Sequence, residues 1–159
     1  MLAGLGPMSD EHEAIRALTY EYTFRLDRGD FAGVGELLAA GQLRMAAAGM
    51  GAEPIRGREA IERFYAAQVV TYDGDPRTRH LITNHVVRID GERASGRCYF
   101  TVLQAVPRQP IQAVVCGRYA DSFVRAGNDW RFEEKVIEVD YLTAIGDHFK
   151  IADAHSARD

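Results

Sequence analysis

From Thr78 to Leu142 the chain reads as one continuous series of strands, and no other stretch constrains the fold as tightly. The runs "RHLITNHVVRI" and "RASGRCYFTVLQAV" flank the turn signal Asp90-Gly91-Glu92, and "IQAVVCGRYADSFVRA" and "WRFEEKVIEVDYL" flank Gly127-Asn128-Asp129. Alternating runs on either side of short Gly, Asn and Asp turns specify hairpins. The result is a meander of at least four antiparallel strands with one face to bury.

The first half of the chain has a helical period instead. Ile15, Leu18, Tyr22 and Leu26 recur at spacings of three and four, which predicts a helix from Glu11 to Gly29. Ser9 or Asp10 can cap its start, with Glu13 at capping-box spacing from Asp10, and Gly29 sits where a left-handed stop is wanted. A shorter helix follows in "DFAGVGELLAAG", with Asp30 as cap and Phe31, Val34, Leu37 and Leu38 inward despite two internal glycines. After the weakly patterned "QLRMAAAGMGAEPIRG", a third helix is expected in "REAIERFYAAQVV", burying Ile61, Phe64, Tyr65 and Gln68 or Val69. Helices first and a long antiparallel sheet second define an α+β layout in which a curved sheet wraps the helices.

Length and composition fit one domain. With 159 residues, 47% of them hydrophobic, the chain can bury a full core. We expect a flexible N-terminus over residues 1–10, a single domain over 11–145, and a C-terminal tail over 146–159, whose end "KIADAHSARD" reads as frayed because it offers no apolar face. The net charge of −4 is dispersed and no Lys/Arg-rich run occurs, which argues against a nucleic-acid partner. No segment has signal-peptide or membrane-spanning character, so a soluble, cytoplasmic protein with no membrane partner is expected. Cys98 and Cys116 lie inside strand-like runs and read as small hydrophobes rather than a disulfide framework. There is no phosphate-cradling glycine pattern, P-loop lysine or nucleophile elbow.

Candidate chemistry centres on two residues. His80 and His85 share the strand "TRHLITNHVVRID"; five apart, they point to opposite faces unless a bulge intervenes, so they do not form a metal pair. His80 goes with Ile82, Asn84 and Val86, and His85 with Leu81, Thr83 and Val87; pattern alone leaves open which face is inner. Asp27 lies off the solvated arc of the first helix, which carries Glu21, Arg25 and Arg28, and has Thr23 one turn below it. The helix macrodipole opposes an acid at this end.

The segments "IRALTYEYTFRLDRGDF", "GREAIERFY", "TRHLITNHVVRIDGERASGRCYF" and "GRYADSFVRAGNDWRFEEKV" resemble the SnoaL-like branch of the nuclear transport factor 2-like superfamily, over about residues 11 to 142. The resemblance implies a cone-shaped α+β barrel, three N-terminal helices packed in a strongly curved antiparallel sheet around a pocket. Dehydratase and dehydrochlorinase members of that superfamily pair an Asp near the end of helix one with a His early in the first long strand. Asp27 and His80 stand at the matching positions. The implied chemistry is a cofactor-independent lyase or isomerase step, with His80 taking a proton from an apolar cyclic small molecule and Asp27 fixing its tautomer. Tyr22, Thr23, Asn84, Arg118, Tyr119 and Lys135 are the candidates for contacting that molecule, although strand arginines and lysines are usually solvated and strand tyrosines usually core. His85 is expected to face away, and Trp130 to be a packing anchor.

The sequence departs from the dehydratase pattern in having no histidine in "GRYADSF" and a small, apolar "QLRMAAAGMGAEP". The resemblance also admits a polyketide cyclase, or a non-catalytic ligand-binding or assembly module like a dioxygenase small subunit. It implies a homodimer or homotrimer.

Overall fold

The computed structural model describes residues 10–47, 50–51, 53–143 and 145–150. Three helices come first: α1 (Asp10–Asp27), α2 (Phe31–Leu37) and α3 (Arg58–Gln68), with the short strands β1 (Gln42–Ala47), β2 (Met50–Gly51) and β3 (Ile55–Arg56) between the second and third. Four long strands follow, β4 (Thr78–Asp90), β5 (Arg93–Gln104), β6 (Gln112–Ala126) and β7 (Asp129–Leu142), then a single turn of helix, α4 (Ile145–His148).

The strands form one sheet in the order β2-β1-β7-β6-β5-β4, with β3 pairing β1 off this path. The long strands are antiparallel to one another, as the turn signals require for β4–β5 and β6–β7. β1 is parallel to β7, with Gln42 opposite Glu134, and the weakly patterned segment thereby becomes part of the sheet. The Arg44 guanidinium donates to Glu134 Oε1 at 2.8 Å across this junction.

The concave face of the sheet carries Phe100, Val102, Val115, Phe123, Phe132 and Ile137, all buried, against Ile15, Tyr22 and Leu26 of α1. α2 and α3 close over the same core with Val34, Leu38, Ile61 and Tyr65. Gly35 explains why α2 tolerates internal glycines: a Cβ there would stand 2.4 Å from the Arg58 carbonyl oxygen, so only glycine admits this approach of α3. Asp30 caps α2 by accepting from the Gly33 N–H at 2.9 Å. Cys98 faces the core and Cys116 the opposite side of the sheet; both are free. Trp130 is buried under the Arg125 guanidinium, 4.5 Å from its ring centroid. Among the described residues no helix is long and apolar enough to cross a membrane.

In β4 the structure departs from the sequence reading. A bulge between Thr83 and Val86 interrupts β4, and Asn84 occupies it at φ 56°, a left-handed conformation that asparagine tolerates better than most residues. Side chains beyond the bulge change face, so His85 and Val87 join the concave side with His80. Residues 146–150, the described part of the C-terminal tail, pair with the end of α3 and the chain after it. Val70 N–H donates to the His148 carbonyl at 2.9 Å and Lys150 N–H to that of Gln68 at 2.8 Å, while Phe149 bridges Val69. Residues 1–9 and 151–159 lie outside the described residues.

Candidate active site

The site is built where the end of α1 meets the start of β4. The last residue of α1, Asp27, is 9% exposed and turns its carboxylate towards β4. Three donors from one short stretch of that strand satisfy it. Thr78 Oγ1 donates to Oδ1 at 2.7 Å, His80 backbone N–H donates to Oδ2 at 2.9 Å, and His80 Nδ1 lies 2.6 Å from Oδ1. An imidazole nitrogen that close to a carboxylate carries the proton, which leaves Nε2 as the acceptor. Burial pushes the Asp27 carboxyl up, but the His80 ring, the His80 backbone N–H and the Thr78 hydroxyl outweigh it and hold the group below its ordinary value. The helix dipole that disfavours an acid here is thus offset by a purpose-shaped set of donors.

His80 lines a cavity of about 420 Å³ bounded by the three helices, the sheet and the C-terminal segment. Its walls are mostly apolar, with Leu26, Phe31, Val102 and Ile137 among them. The polar groups are few: Tyr22, Tyr65, Tyr119, Thr78, Gln68, His80 and His148. Tyr22 and Tyr65 share a hydroxyl–hydroxyl hydrogen bond of 2.5 Å, and burial pushes both phenols well above their ordinary range. A wider depression lies on the other side of the dyad, lined by Thr23, Asp27, Arg28 and Arg79, and among the described residues His80 alone lines both.

The other residues singled out by sequence are scattered. Tyr22 and Tyr119 line the cavity, whereas Thr23 opens on the outer depression and donates its hydroxyl to the Tyr20 carbonyl at 2.9 Å. Asn84 was placed on the His80 face by strict alternation; the bulge turns it out into solvent. Arg118 lies on the convex face, exposed, bonded to Asp140 at 3.0 Å and paired with Glu138, and does not reach the cavity. Lys135 is fully buried behind the cavity lining: its ammonium meets both Asp121 oxygens, at 3.0 and 3.2 Å, and stands 3.6 Å from the Tyr119 ring centroid. His85, expected to face away, points inward against Tyr20, with neither ring nitrogen hydrogen-bonded.

Sequence reasoning missed Tyr65, Thr78 and His148. Tyr65 read only as a core residue, and Thr78 needed the Asp27 contact to be noticed. His148 lay in a stretch without periodicity. Among the described residues no group of three or more histidine, cysteine or acidic side chains comes together as a metal site.

Helices held in a curved open sheet, with a deep apolar cavity between them, define the nuclear transport factor 2-like class. Within it, the SnoaL-like domain family matches residues 7–136, and the protein belongs to that family. No curated sequence matches the chain significantly. Among solved structures it is similar to a protein of unknown function from Mycobacterium tuberculosis (24% identity, 87% of this chain and 80% of that one, TM-score 0.66). It is also similar to two proteins from Novosphingobium aromaticivorans. One is provisionally named a scytalone dehydratase (19% identity, 84% and 86% covered, TM-score 0.62). The other is provisionally named the β subunit of an aromatic-ring-hydroxylating dioxygenase (19% identity, 87% and 95% covered, TM-score 0.67).

Proposed function

We propose that the protein is a cofactor-independent lyase or isomerase in which His80 Nε2 removes a proton from a carbon acid of an apolar cyclic molecule. The observation that carries this reading is the 2.6 Å contact of Asp27 with His80 Nδ1 at the wall of an apolar cavity. Asp27 orients the ring and stabilises the imidazolium as the proton arrives, and the Tyr22–Tyr65 hydroxyl pair offers a donor to the oxygen where negative charge develops. A dehydratase, an isomerase and a polyketide cyclase would all begin with this step. The likeness to a protein provisionally named a scytalone dehydratase supports the first of these by analogy.

The test needs no knowledge of the natural substrate. α-Tetralone, an uncharged cyclic ketone with acidic C–H bonds, is incubated with the protein in D2O and its α-proton exchange followed by NMR. The expected result is exchange accelerated by the wild type and lowered about a hundredfold to ten-thousandfold in His80→Ala, the range of a general base. Asp27→Asn should fall in the same direction, with the near-ultraviolet circular dichroism of both variants unchanged. Equal rates in all three proteins, or no acceleration across a set of cyclic ketones, would sink the reading.

A second reading is a ligand-binding or assembly module, supported by the likeness to a protein provisionally named a dioxygenase β subunit. The convex sheet face leaves Tyr141 75% and Tyr99 52% exposed. In this reading both rings pack against a second copy in a homodimer or homotrimer, and sedimentation of the wild type against Tyr141→Glu tests that arrangement.

A further inference from the structure

Outside the dyad, the cavity is lined by a second imidazole, His148, whose ring packs edge-on against Phe149 at 4.4 Å between centroids while its Nδ1 makes no hydrogen bond. His148 is 6% exposed, reaches the cavity from α4, and has a buried Nδ1 with no partner. A buried imidazole nitrogen without a hydrogen bond is costly, and a core position would be better served by an apolar residue. The surroundings show that the placement is held in place: the Asp147 carbonyl accepts from Tyr72 Oη at 3.0 Å and from Gln104 Nε2 at 3.1 Å, and Gln104, itself fully buried, also donates to the Pro76 carbonyl at 3.1 Å. These bonds fix the turn that carries His148, whose ring lines the cavity beside Phe149 with Nδ1 turned into the protein. The ring is also close enough to His80 for the two to repel when charged, and burial together with that repulsion pushes His148 down to about 4. At neutral pH it is therefore an uncharged imidazole, able to accept from or donate to a ligand oxygen.

A second observation concerns charge. Among the described residues no Lys, Arg, Asp or Glu side chain lines this cavity. Of the described cations, Arg28 and Arg79 line the outer depression instead, and Lys135 is committed to Asp121 behind the wall. An anionic ligand entering the cavity would lose its hydration and meet no counter-charge.

We propose that His148 is a ligand-binding residue of the cavity, and that the cavity selects uncharged, oxygen-bearing ring compounds by a hydrogen bond from hydroxyl or carbonyl to His148. This rests on the functional reading above only in placing the substrate in the same cavity. The residue acts on binding, whereas His80 acts on the proton, so the two are separable.

Affinities of β-naphthol, β-naphthoate and naphthalene are measured at pH 7.5 by fluorescence for the wild type, His148→Phe and His148→Gln, with thermal melting as a control for folding. The wild type is expected to bind β-naphthol at least about tenfold more tightly than β-naphthoate, since a desolvated unpaired charge costs far more than a neutral hydroxyl. His148→Phe should weaken β-naphthol about threefold to tenfold, the value of one hydrogen bond, and leave naphthalene unchanged or tighter. His148→Gln, which keeps a donor and an acceptor, should restore most of the loss. Equal affinity for naphthol and naphthoate overturns the charge selection. Unchanged naphthol binding in His148→Phe, or an equal loss for naphthol and naphthalene, overturns the role of His148. His80→Ala should retain the naphthol preference, so failure of proton abstraction and failure of this proposal give different patterns.

Discussion

At the scale of single residues, Asp27 shows how a local cost is turned to use. A carboxylate at a helix C-terminus is disfavoured, yet this one accepts three hydrogen bonds from Thr78 and His80. Thr78 is therefore as much part of the site as the dyad. Replacing it with valine keeps the shape and removes one donor to a charged acceptor, which should cost about 1–3 kcal/mol at pH 7. The pH dependence has a definite sign. Asp27 is held below its unfolded value, so its stabilising contribution is fully present above the ordinary carboxylate range, near about 3.9, and is lost as pH falls through the lower folded value. The Thr78→Val penalty should thus be full at pH 7 and shrink in stronger acid. Urea unfolding of both proteins across that range checks this; a penalty independent of pH would mean that the hydroxyl only packs.

At the scale of elements, register decides which residues meet. β6 and β7 place Asp121 directly opposite Lys135, and the pair is buried beneath the Tyr22 and Tyr119 rings. Burial pushes Asp121 up and Lys135 down, each towards its neutral form, with their mutual attraction opposing both. Removing one partner strands the other, so Lys135→Met should cost about 3–5 kcal/mol, whereas Lys135→Met with Asp121→Leu should recover most of it. Denaturant midpoints of the single and double variants measure the difference; additive losses would refute the pairing. Lys135 also shows where legibility in the sequence stopped. Its strand could be read from alternation, but its burial and its partner required the β6–β7 register. The dyad was legible because Asp27 broke the pattern of its helix and His80 headed a strand with a family counterpart. Asn84 and His85 were misplaced because one bulge reverses alternation, and an asparagine within a strand was its faint signal. β1 was hidden because small residues acquire strand character only by pairing with β7, and α4 because its order comes from Gln104 and Tyr72 rather than from any period of its own.

At the scale of the whole molecule, two inward-facing histidines, one half-buried and one buried, make stability depend on pH in a window separate from that of Asp27. Burial pushes both His85 and His148 down to about 4; the charges of Arg16 and Lys135 add to this at His85, with Glu13 opposing, and His80 adds to it at His148. Between the ordinary histidine value, about 6.5, and the folded value of about 4, the unfolded chain binds protons that the folded chain refuses. Stability must then fall as pH is lowered through that interval and level off below it, where both states are protonated. His85 allows this slope to be divided. Its ring occupies space left by Gly96, where a Cβ would lie 3.3 Å from Nε2, and neither of its nitrogens is satisfied. An apolar ring of similar size loses no hydrogen bond there and has no proton to gain. His85→Phe should therefore match or exceed the wild type at pH 7, by up to about 1 kcal/mol, because replacing an unsatisfied polar group by an apolar one of the same shape is neutral or favourable. It should also lose less stability than the wild type on going to pH 4.5, with the remaining slope belonging mainly to His148. Unfolding free energies of the two proteins at both pH values decide the matter. Parallel losses would show that His85 is not held neutral by the fold, and a variant weaker at pH 7 would show that the imidazole makes a contact the apolar ring cannot replace.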